Sequence, residues 1–437
     1  MRRRPGLRLT ACALALLAVP ASAAGLVDIH RLAQQHDAGL AAARQAYRAG
    51  LEKQPLARAA VLPLVVLSAN LSRNQTDTSV TPSVGYSPYG YTLSLTQPLY
   101  APGTWAGVEQ GRLQAEQAGV ALRRAEQDLI LRAAQAYFEV LKAEAALAVV
   151  KAQQAAIAEQ RAQARLGFEV GVATITDTHE AQARFDLTQA QEIEAANAVE
   201  VRRSALEKII QTPLPALAVW SASAALPAVG DKAPADWIRQ AIDAGLPVRL
   251  AQIDEQIARE GVGRVRADDR PKVNLSASFS DSRNSYLSAG TIDTQSAKLG
   301  VDLTWSLYDG GRTGAGVREA QAGLDKAHFE LEERRRQAGL EAREAHLGLI
   351  SGLARVKALE AAVSSSQLQI QSTRTGLEVG IRTRVDVLNA QQQLAAARKD
   401  LDAARYDLLL TGLKLKAAVG DLTEADLMAA DARLKTP

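Results

Sequence analysis

Four segments of the chain alternate apolar and polar residues with a period of two. They are VLSANLSR at 66–73, YTLSLTQPLY at 91–100, KVNLSASFSDS at 272–282 and KLGVDLTWSLYD at 298–309. The alternation predicts β-strands with one apolar face and one face of Ser, Thr and Asn. In a soluble protein an amphipathic helix would have to cover the apolar face of this sheet, and the sequence predicts no further helix that could do so. Strands of about ten residues instead suit a tilted crossing of a bilayer.

Aromatic residues cluster at the ends of these strands, as they do at membrane–water interfaces. They are Tyr86, Tyr89, Tyr91, Tyr100, Trp105 and Tyr308. Four strands do not close a barrel, since small barrels have about eight, and open edges are not tolerated in lipid. We therefore expect an oligomer in which each chain donates two hairpins. The loops at 73–90 and 283–295 would face the cell exterior.

The remaining apolar positions follow helical periods. Helices are predicted at about 28–60, 104–166 and 175–211, and the second half repeats them. The long helices carry apolar residues seven apart, which predicts coiled-coil packing: Leu122, Leu129, Ala136, Ala143, Val150 and Ile157; Leu331, Ala338, Ala345 and Leu359; Leu394, Leu401, Leu408 and Leu415. The heptads alone are equally compatible with a coiled-coil structural protein. The four strands argue against that alternative.

The sequence repeats itself over most of its length. Tyr100 and Tyr308 end similar strands 208 positions apart, and Gly167 of GFEVG lies 209 positions before Gly376 of GLEVG. Such a long period predicts two similar structural halves. The predicted organisation is a signal peptide, a first repeat, a Pro/Ala-rich linker, a second repeat and a C-terminal segment beside the middle of the helices, at 1–23, 24–211, 212–235, 236–420 and 421–437.

The N-terminus has the basic, apolar and small-residue regions of a secretory signal, with cleavage expected after Ala23. A lipoprotein-like LTAC occurs at 9–12, but the apolar run follows Cys12 instead of preceding it. Cys12 is the only cysteine, so the mature chain would hold no thiol. The signal carries four arginines and no acid, so the net charge of +3 becomes about −1 after cleavage. The sequence has no stripe of basic residues that would predict nucleic-acid binding.

Five segments together resemble the TolC family of outer-membrane efflux and secretion channels over essentially the whole mature chain. They begin at Ala136 (AYFEVLKA), Gly167 (GFEVGVATITD), Gly376 (GLEVGIRTRVDVLNAQQQL), Ala403 (AARYDLLLTGLKLKAAVGDL) and Leu422 (LTEADL). The resemblance implies an α+β membrane protein of a Gram-negative outer membrane. It would be a homotrimer whose twelve-stranded β-barrel, four strands per chain, continues as a coiled-coil barrel in the periplasm.

The same resemblance implies how the channel works. Its periplasmic end would be closed by helical hairpin tips, which untwist when partners engage. Those partners would be a periplasmic adaptor (membrane fusion) protein and an inner-membrane exporter, either ABC-type or proton-driven. The cargo is not evident from the sequence: the likeness to the founding member favours type I protein secretion, with small molecules as the alternative.

The resemblance also assigns gate residues one at a time. Asp177 matches a gate-locking aspartate, and Arg382 matches an arginine that bonds across to the turn at Thr176 and Asp177. Asp386 matches the outer acid of a constriction ring. Two positions differ from the founding member, which has a tyrosine in place of Leu377 and a second ring aspartate in place of Asn389. Arg384 is an additional cation. Without the resemblance, the simpler interpretation of each charged residue is that it lies on a solvent-exposed face of its helix.

Enzymatic chemistry is not predicted. The histidines are His30, His36, His179, His328 and His346, and they show neither metal-ligand spacing nor a neighbouring cysteine. The glycine-rich segments GTWAG and DGGRTGAG lack a P-loop lysine. We therefore expect no cofactor or metal. A periplasmic adaptor remains an alternative, but it would have a single helical hairpin with lipoyl-like and small barrel modules.

Overall fold

The computed structural model describes residues 23–77, 79, 83–221, 224–227, 232–286 and 290–435. Nearly all of the predicted signal peptide, residues 1–22, lies outside the described residues, as does part of the predicted linker. Among the described helices, none combines the length and the hydropathy that a membrane span requires.

The strands of the described chain form one large sheet and two short pairs. They are β1 (Leu64–Leu71), β2 (Asn74–Thr76), β3 (Val84–Tyr86), β4 (Tyr89–Tyr100), β5 (Val219–Trp220), β6 (Lys272–Tyr286), β7 (Gly290–Thr304) and β8 (Leu434–Lys435). β1, β4, β6 and β7 pair in that order as one antiparallel sheet. The four predicted strands are confirmed, and β1 and β7 are the edges of the sheet.

The register of this sheet places like residues side by side. One row consists of Ser68, Thr92, Ser280 and Ser296, and the next row, on the opposite face, of Leu67, Leu93, Phe279 and Ala297. The Ser280 and Ser296 hydroxyls are hydrogen-bonded at 2.8 Å. The sheet therefore has one hydroxyl-rich face and one apolar face, as the alternation predicts.

The predicted loops are partly wrong. The first, at 73–90, contains the short hairpin of β2 and β3. The second, at 283–295, is mostly strand, because cross-strand pairs extend the ladder: Arg283 Nη2 donates to Asp293 Oδ2 at 2.6 Å and Gln295 Nε2 to Asp281 Oδ2 at 2.9 Å. The last strand ends at Thr304, before the predicted alternation through Leu307 is complete.

The described helices are α1 (Leu26–His36), α2 (Ala38–Leu51), α3 (Lys53–Ala59), α4 (Pro102–Glu169), α5 (Ile175–Ile210), α6 (Pro234–Ala244), α7 (Leu246–Arg266), α8 (Arg312–Glu378), α9 (Arg384–Ala418) and α10 (Glu424–Asp431). A short 3₁₀ turn, Ala267–Asp269, joins α7 to β6. At about 1.5 Å per residue, the 68 residues of α4 span roughly 100 Å. The long helical hairpins are thus confirmed.

The single helix predicted over 28–60 is wrong. Its first break lies at Asp37, whose backbone is extended and whose carboxylate accepts the Leu40 N–H at 2.7 Å as the N-cap of α2. Arg132 on α4 holds the same carboxylate at 3.1 Å. Burial of Asp37 opposes ionisation, but the hydrogen bonds from Arg132 and Leu40 outweigh it and lower the pKa. Arg132, 95 positions away in the sequence, therefore stabilises the break between α1 and α2 at Asp37.

The long helices form one layer. Beside the sheet its order is α2 and α3, then α4, α7 and α8; at the far end it is α5, α4, α9 and α8. α8 is therefore one edge at both levels, and α2, α3 and α5 form the other. The layer and the sheet share these edges, since α3 leads into β1 and β7 leads into α8.

Predicted heptad positions of α8 and α9 are buried in one core cluster. Leu401, Leu408 and Leu415 are buried in one cluster with Leu331 and Ala338. A Cβ on Gly352 would lie 3.1 Å from Leu408 Cδ1, so this glycine permits a close helix approach.

A belt of short elements, which we call the equatorial belt, lies against the middle of α4, α8 and α9. It comprises α1, α6, α10, β5 and β8. Tyr137 donates its hydroxyl to the Ala218 carbonyl at 2.6 Å, and Phe138 stacks on Tyr406 with ring centroids 5.4 Å apart. Burial raises the pKa of Tyr406 to about 12, which keeps its phenol neutral. The belt thus ties α4 to α9 in the middle of the layer.

Candidate functional site at the hairpin tips

The two hairpins turn in the same way. Gly171 and Gly380 adopt positive φ angles of 79° and 78°, a backbone conformation that residues other than glycine rarely adopt. The following residue donates its backbone N–H to a glycine carbonyl: Val172 to Gly167 in the first hairpin and Ile381 to Gly376 in the second, at 2.8 Å in both. A glycine with positive φ therefore follows the end of each long helix.

Each return helix begins with a capping box. In the first hairpin Thr174 Oγ1 accepts the Asp177 N–H at 3.2 Å, and Asp177 Oδ2 accepts the Thr174 N–H at 2.7 Å. In the second, Thr383 Oγ1 accepts the Asp386 N–H at 3.2 Å, and Asp386 Oδ2 accepts the Thr383 N–H at 2.9 Å. Both predicted gate acids therefore stabilise their own helix starts.

The same hydrogen bonds set the charge of these acids. The Thr174 amide, followed by the Thr174 hydroxyl, lowers the pKa of Asp177 below its ordinary value. The amide and hydroxyl of Thr383 lower the pKa of Asp386 in the same way, and the Arg382 guanidinium adds to the effect. Within one chain both acids are ionised at neutral pH.

The other predicted site residues lie at the same tips without direct bonds between their side chains. Thr176, Arg382 and Asn389 are exposed, and Leu377 is half-buried. In the described part of a single chain, the Arg382 guanidinium makes no hydrogen bond or ion pair, either to Asp177 or to any other group, although its charge acts on Asp386. The cross-link implied by the family resemblance is therefore not formed within one chain.

Two contacts near the tips were missed at the sequence level. Arg384 Nη1 lies 3.3 Å from Glu159 Oε1 and so joins α9 to α4 of the other hairpin. Arg161 places its guanidinium 3.9 Å from the ring centre of Phe185, joining α4 to α5. The capping boxes had a local signal, Thr-x-x-Asp, whereas these contacts had none. No group of described side chains is arranged to hold a metal ion.

A four-stranded sheet with one hydroxyl face and one apolar face, continued by coiled-coil hairpins roughly 100 Å long, defines a channel-tunnel of the outer membrane. The model of the family described as Outer membrane efflux protein matches residues 29–211 and 237–421. The chain therefore belongs to the outer membrane efflux protein family, and it is an outer-membrane channel for export.

Individual relatives span nearly the whole chain. The alkaline protease secretion protein AprF of Pseudomonas aeruginosa is 32% identical over 95% of this chain and 88% of its own length. The outer membrane protein TolC of Vibrio cholerae is 31% identical over 97% of both. Among solved structures, the CmeC outer membrane channel of Campylobacter jejuni superposes with a TM-score of 0.78 at 15% identity, covering 99% of this chain and 98% of its own, which shows a shared fold.

The capping boxes predict how the tips respond to acid. Both folded-state pKa values lie below the ordinary 3.8, so each cap is intact above that pH and is lost as the pH falls through the lower, folded value. Amide hydrogen exchange, corrected for intrinsic rates, should show constant protection of the first turns of α5 and α9 from about pH 7 to about pH 4. Protection should fall below that.

In this experiment each hairpin tip serves as the internal control for the other. Asp386→Asn should abolish the acid-dependent change at the start of α9 and leave that of α5 intact. Loss of protection already near pH 6, or none in strong acid, would contradict the assignment.

Proposed function

We propose that three copies of this chain join head to tail, each donating its sheet and its helical layer, to form a closed export channel. The observation that carries the proposal is that the sheet and the helical layer are open at the same two edges. β7 of one copy would pair with β1 of the next, and α8 would pack on α2, α3 and α5. Three four-stranded sheets give a twelve-stranded barrel, which satisfies the backbone in lipid.

The internal repeat supports this interface. On α4, Phe138 and Leu141 are buried, with 1% and 3% of their surface exposed. Their counterparts 209 positions later on α8, Leu347 and Ile350, are 57% and 47% exposed. The α4 pair is covered by α9, and the counterpart of α9 is α5, which lies at the opposite edge of the same chain. A neighbouring copy would therefore supply the missing cover.

The α5 helix presents the matching surface. Leu410 on α9 is buried, whereas its counterpart on α5, Val201, is 56% exposed. Large apolar side chains exposed at two opposite edges suit a head-to-tail contact that closes as a ring. In that ring the hydroxyl face of the sheet lines the lumen and the apolar face meets outer-membrane lipid.

The channel would act with two partners, a periplasmic adaptor (membrane fusion) protein and an inner-membrane exporter of the ABC or proton-driven type. The repeats at 24–211 and 236–420 would each contribute one tip to the adaptor. The likeness to AprF supports protein cargo of a type I secretion system.

The tips would form the gate. Three copies would bring three Asp386 carboxylates around the axis, where a ring of like charges attracts cations. Asp177 with Thr176 would accept Arg382 from a neighbouring copy, which agrees with the absence of a bond to the Arg382 guanidinium within one described chain. Leu377 and Asn389 remove one lock and one ring charge relative to the founding member of the TolC family.

Oligomer assembly is the direct test of the channel. The outer-membrane fraction should contain a detergent-resistant species of three chains that becomes a monomer on heating. The double variant Leu347→Asp/Ile350→Asp should prevent its formation, because buried unpaired carboxylates are costly. Met428→Asp, at an exposed position of the equatorial belt, is the matched control. A monomer in the soluble periplasmic fraction would refute the proposal.

Cargo is tested by deleting the gene. Protein should disappear from the culture supernatant and return with the intact gene, while susceptibility to small toxic compounds should change little. The opposite pattern would assign the channel to small-molecule efflux.

Single-channel recordings test the gate. Asp386→Ala should reduce cation preference and block by divalent cations, whereas Arg382→Ala should raise conductance by weakening the closed state. Glu169→Gln, which removes an ion pair within α4 only, is the control. Unchanged selectivity in the first variant and unchanged conductance in the second would each remove that residue from the gate.

A further inference from the structure

The proposed trimer has two kinds of contact between neighbouring hairpins. One, which we call the within-chain seam, lies where α4 of the first hairpin packs on α9 of the second. The other, the between-copy seam, would lie where α8 of one chain meets α5 of the next. Since α8 repeats α4 and α9 repeats α5, the two seams are equivalent in position. The between-copy seam presupposes the proposed trimer, on which this inference rests.

Two ion pairs cross the within-chain seam, in addition to the stacking of Phe138 on Tyr406. Near the tip Arg384 Nη1 lies 3.3 Å from Glu159 Oε1, and nearer the equatorial belt Lys142 pairs with Asp407. The tip pair is accessible to solvent, with 71% of the Arg384 side chain and 44% of the Glu159 side chain exposed. It is therefore sensitive to ionic strength.

The repeat shows what occupies the same positions in the between-copy seam. The counterpart of Glu159, 209 positions later, is Leu368, and the counterpart of Arg384, 209 positions earlier, is Ile175. Leu368 is 61% exposed in the single chain and Ile175 is 50% exposed. Both are large apolar side chains that have little cover in one chain and lie at opposite edges of the layer.

The two residues of the second ion pair also correspond to uncharged residues in the other repeat. Lys142 corresponds to Ser351 and Asp407 to Ala198. Neither ion pair of the within-chain seam can therefore be repeated between copies. The difference between the seams thus recurs at two levels of the hairpin.

We propose that Leu368 of each chain packs against Ile175 of the next, so that at this level of the closed tip three ionic contacts within chains alternate with three apolar contacts between copies. Each residue would cover the other and remove exposed apolar surface from water. Salt screens the ionic contacts but does not weaken apolar packing. Rising ionic strength would therefore weaken the Arg384–Glu159 contact within each chain and leave the Leu368–Ile175 contact between copies in place. The proposed Arg382–Asp177 contact between copies is ionic and would be screened as well.

Thiol cross-linking tests the pairing. The only cysteine is Cys12, so a Cys12→Ala background has no thiol. In that background the double variant Ile175→Cys/Leu368→Cys, treated with a short bifunctional maleimide in outer membranes, should give covalent dimers and trimers, and each single variant should not. Ile175→Cys/Leu347→Cys is the matched control, since both α8 leucines are exposed but lie 21 positions apart.

The outcomes separate the residue pairing from the proposed function. Absence of covalent species in a preparation that still forms the non-covalent trimer would overturn the pairing and leave the channel intact. Failure of the unmodified chain to form a trimer would overturn both. Cross-linking within one chain would also reject the pairing.

The salt dependence supplies a second measurement. Glu159→Gln or Arg384→Gln should raise the open fraction of single channels at low salt by up to about fivefold, the range open to an exposed ion pair, and the ratio to the unmodified channel should approach one at high salt. Leu368→Ala should raise it at both salt concentrations. Glu169→Gln, with its ion pair inside α4, should have no effect.

Charge reversal strengthens the test. Glu159→Arg alone should open the tip, and Glu159→Arg/Arg384→Glu should restore the closed state. A low-salt effect of Leu368→Ala that vanishes at high salt, or no effect of Glu159→Gln at low salt, would overturn the division of the gate into ionic and apolar seams.

Discussion

The structure depends on one constraint: in lipid, every backbone N–H and C=O must find a partner within protein. β4 and β6 meet this condition inside the chain, whereas β1 and β7 each present one unpaired edge. The apolar rows of the sheet require lipid, and the open edges forbid a monomer there. The helical layer inherits the same edges because α3 and α8 connect directly to β1 and β7. In the proposed trimer a single chain is thus one sector of a larger ring.

The duplication explains how one chain supplies both sides of every contact. What is shared between the halves is the backbone chemistry of the tips: a glycine with positive φ and a Thr-x-x-Asp capping box in each. What differs is the surface of the helices behind them. Phe138 is buried while its counterpart Leu347 is exposed, because α4 meets α9 of its own chain, whereas α5, the counterpart of α9, lies at the opposite edge of the layer from α8.

Much of the fold and part of the site could be predicted from local patterns. The period of two predicted the four strands, and the heptad positions Leu401, Leu408 and Leu415 are buried as expected. Asp177 and Asp386 were predicted as gate residues from the family resemblance, and the structure shows that each also belongs to a capping box, whose Thr-x-x-Asp signal lies within four residues. The extent of β6 and β7 was underestimated, because Arg283 and Asp293 extend the ladder only when the strands are paired.

The sequence by itself determined the elements, their repetition and the two tips, since strand alternation, heptads and capping boxes are properties of neighbouring residues. Only the tertiary structure decided which elements meet. The break at Asp37 needs Arg132, 95 positions away, and the Arg384–Glu159 pair joins residues 225 apart. No periodicity encodes such a distance. The Arg384–Glu159 pair exists because packing of the long helices in one layer brings α4 beside α9, and that arrangement leaves α8 and α5 at its open edges.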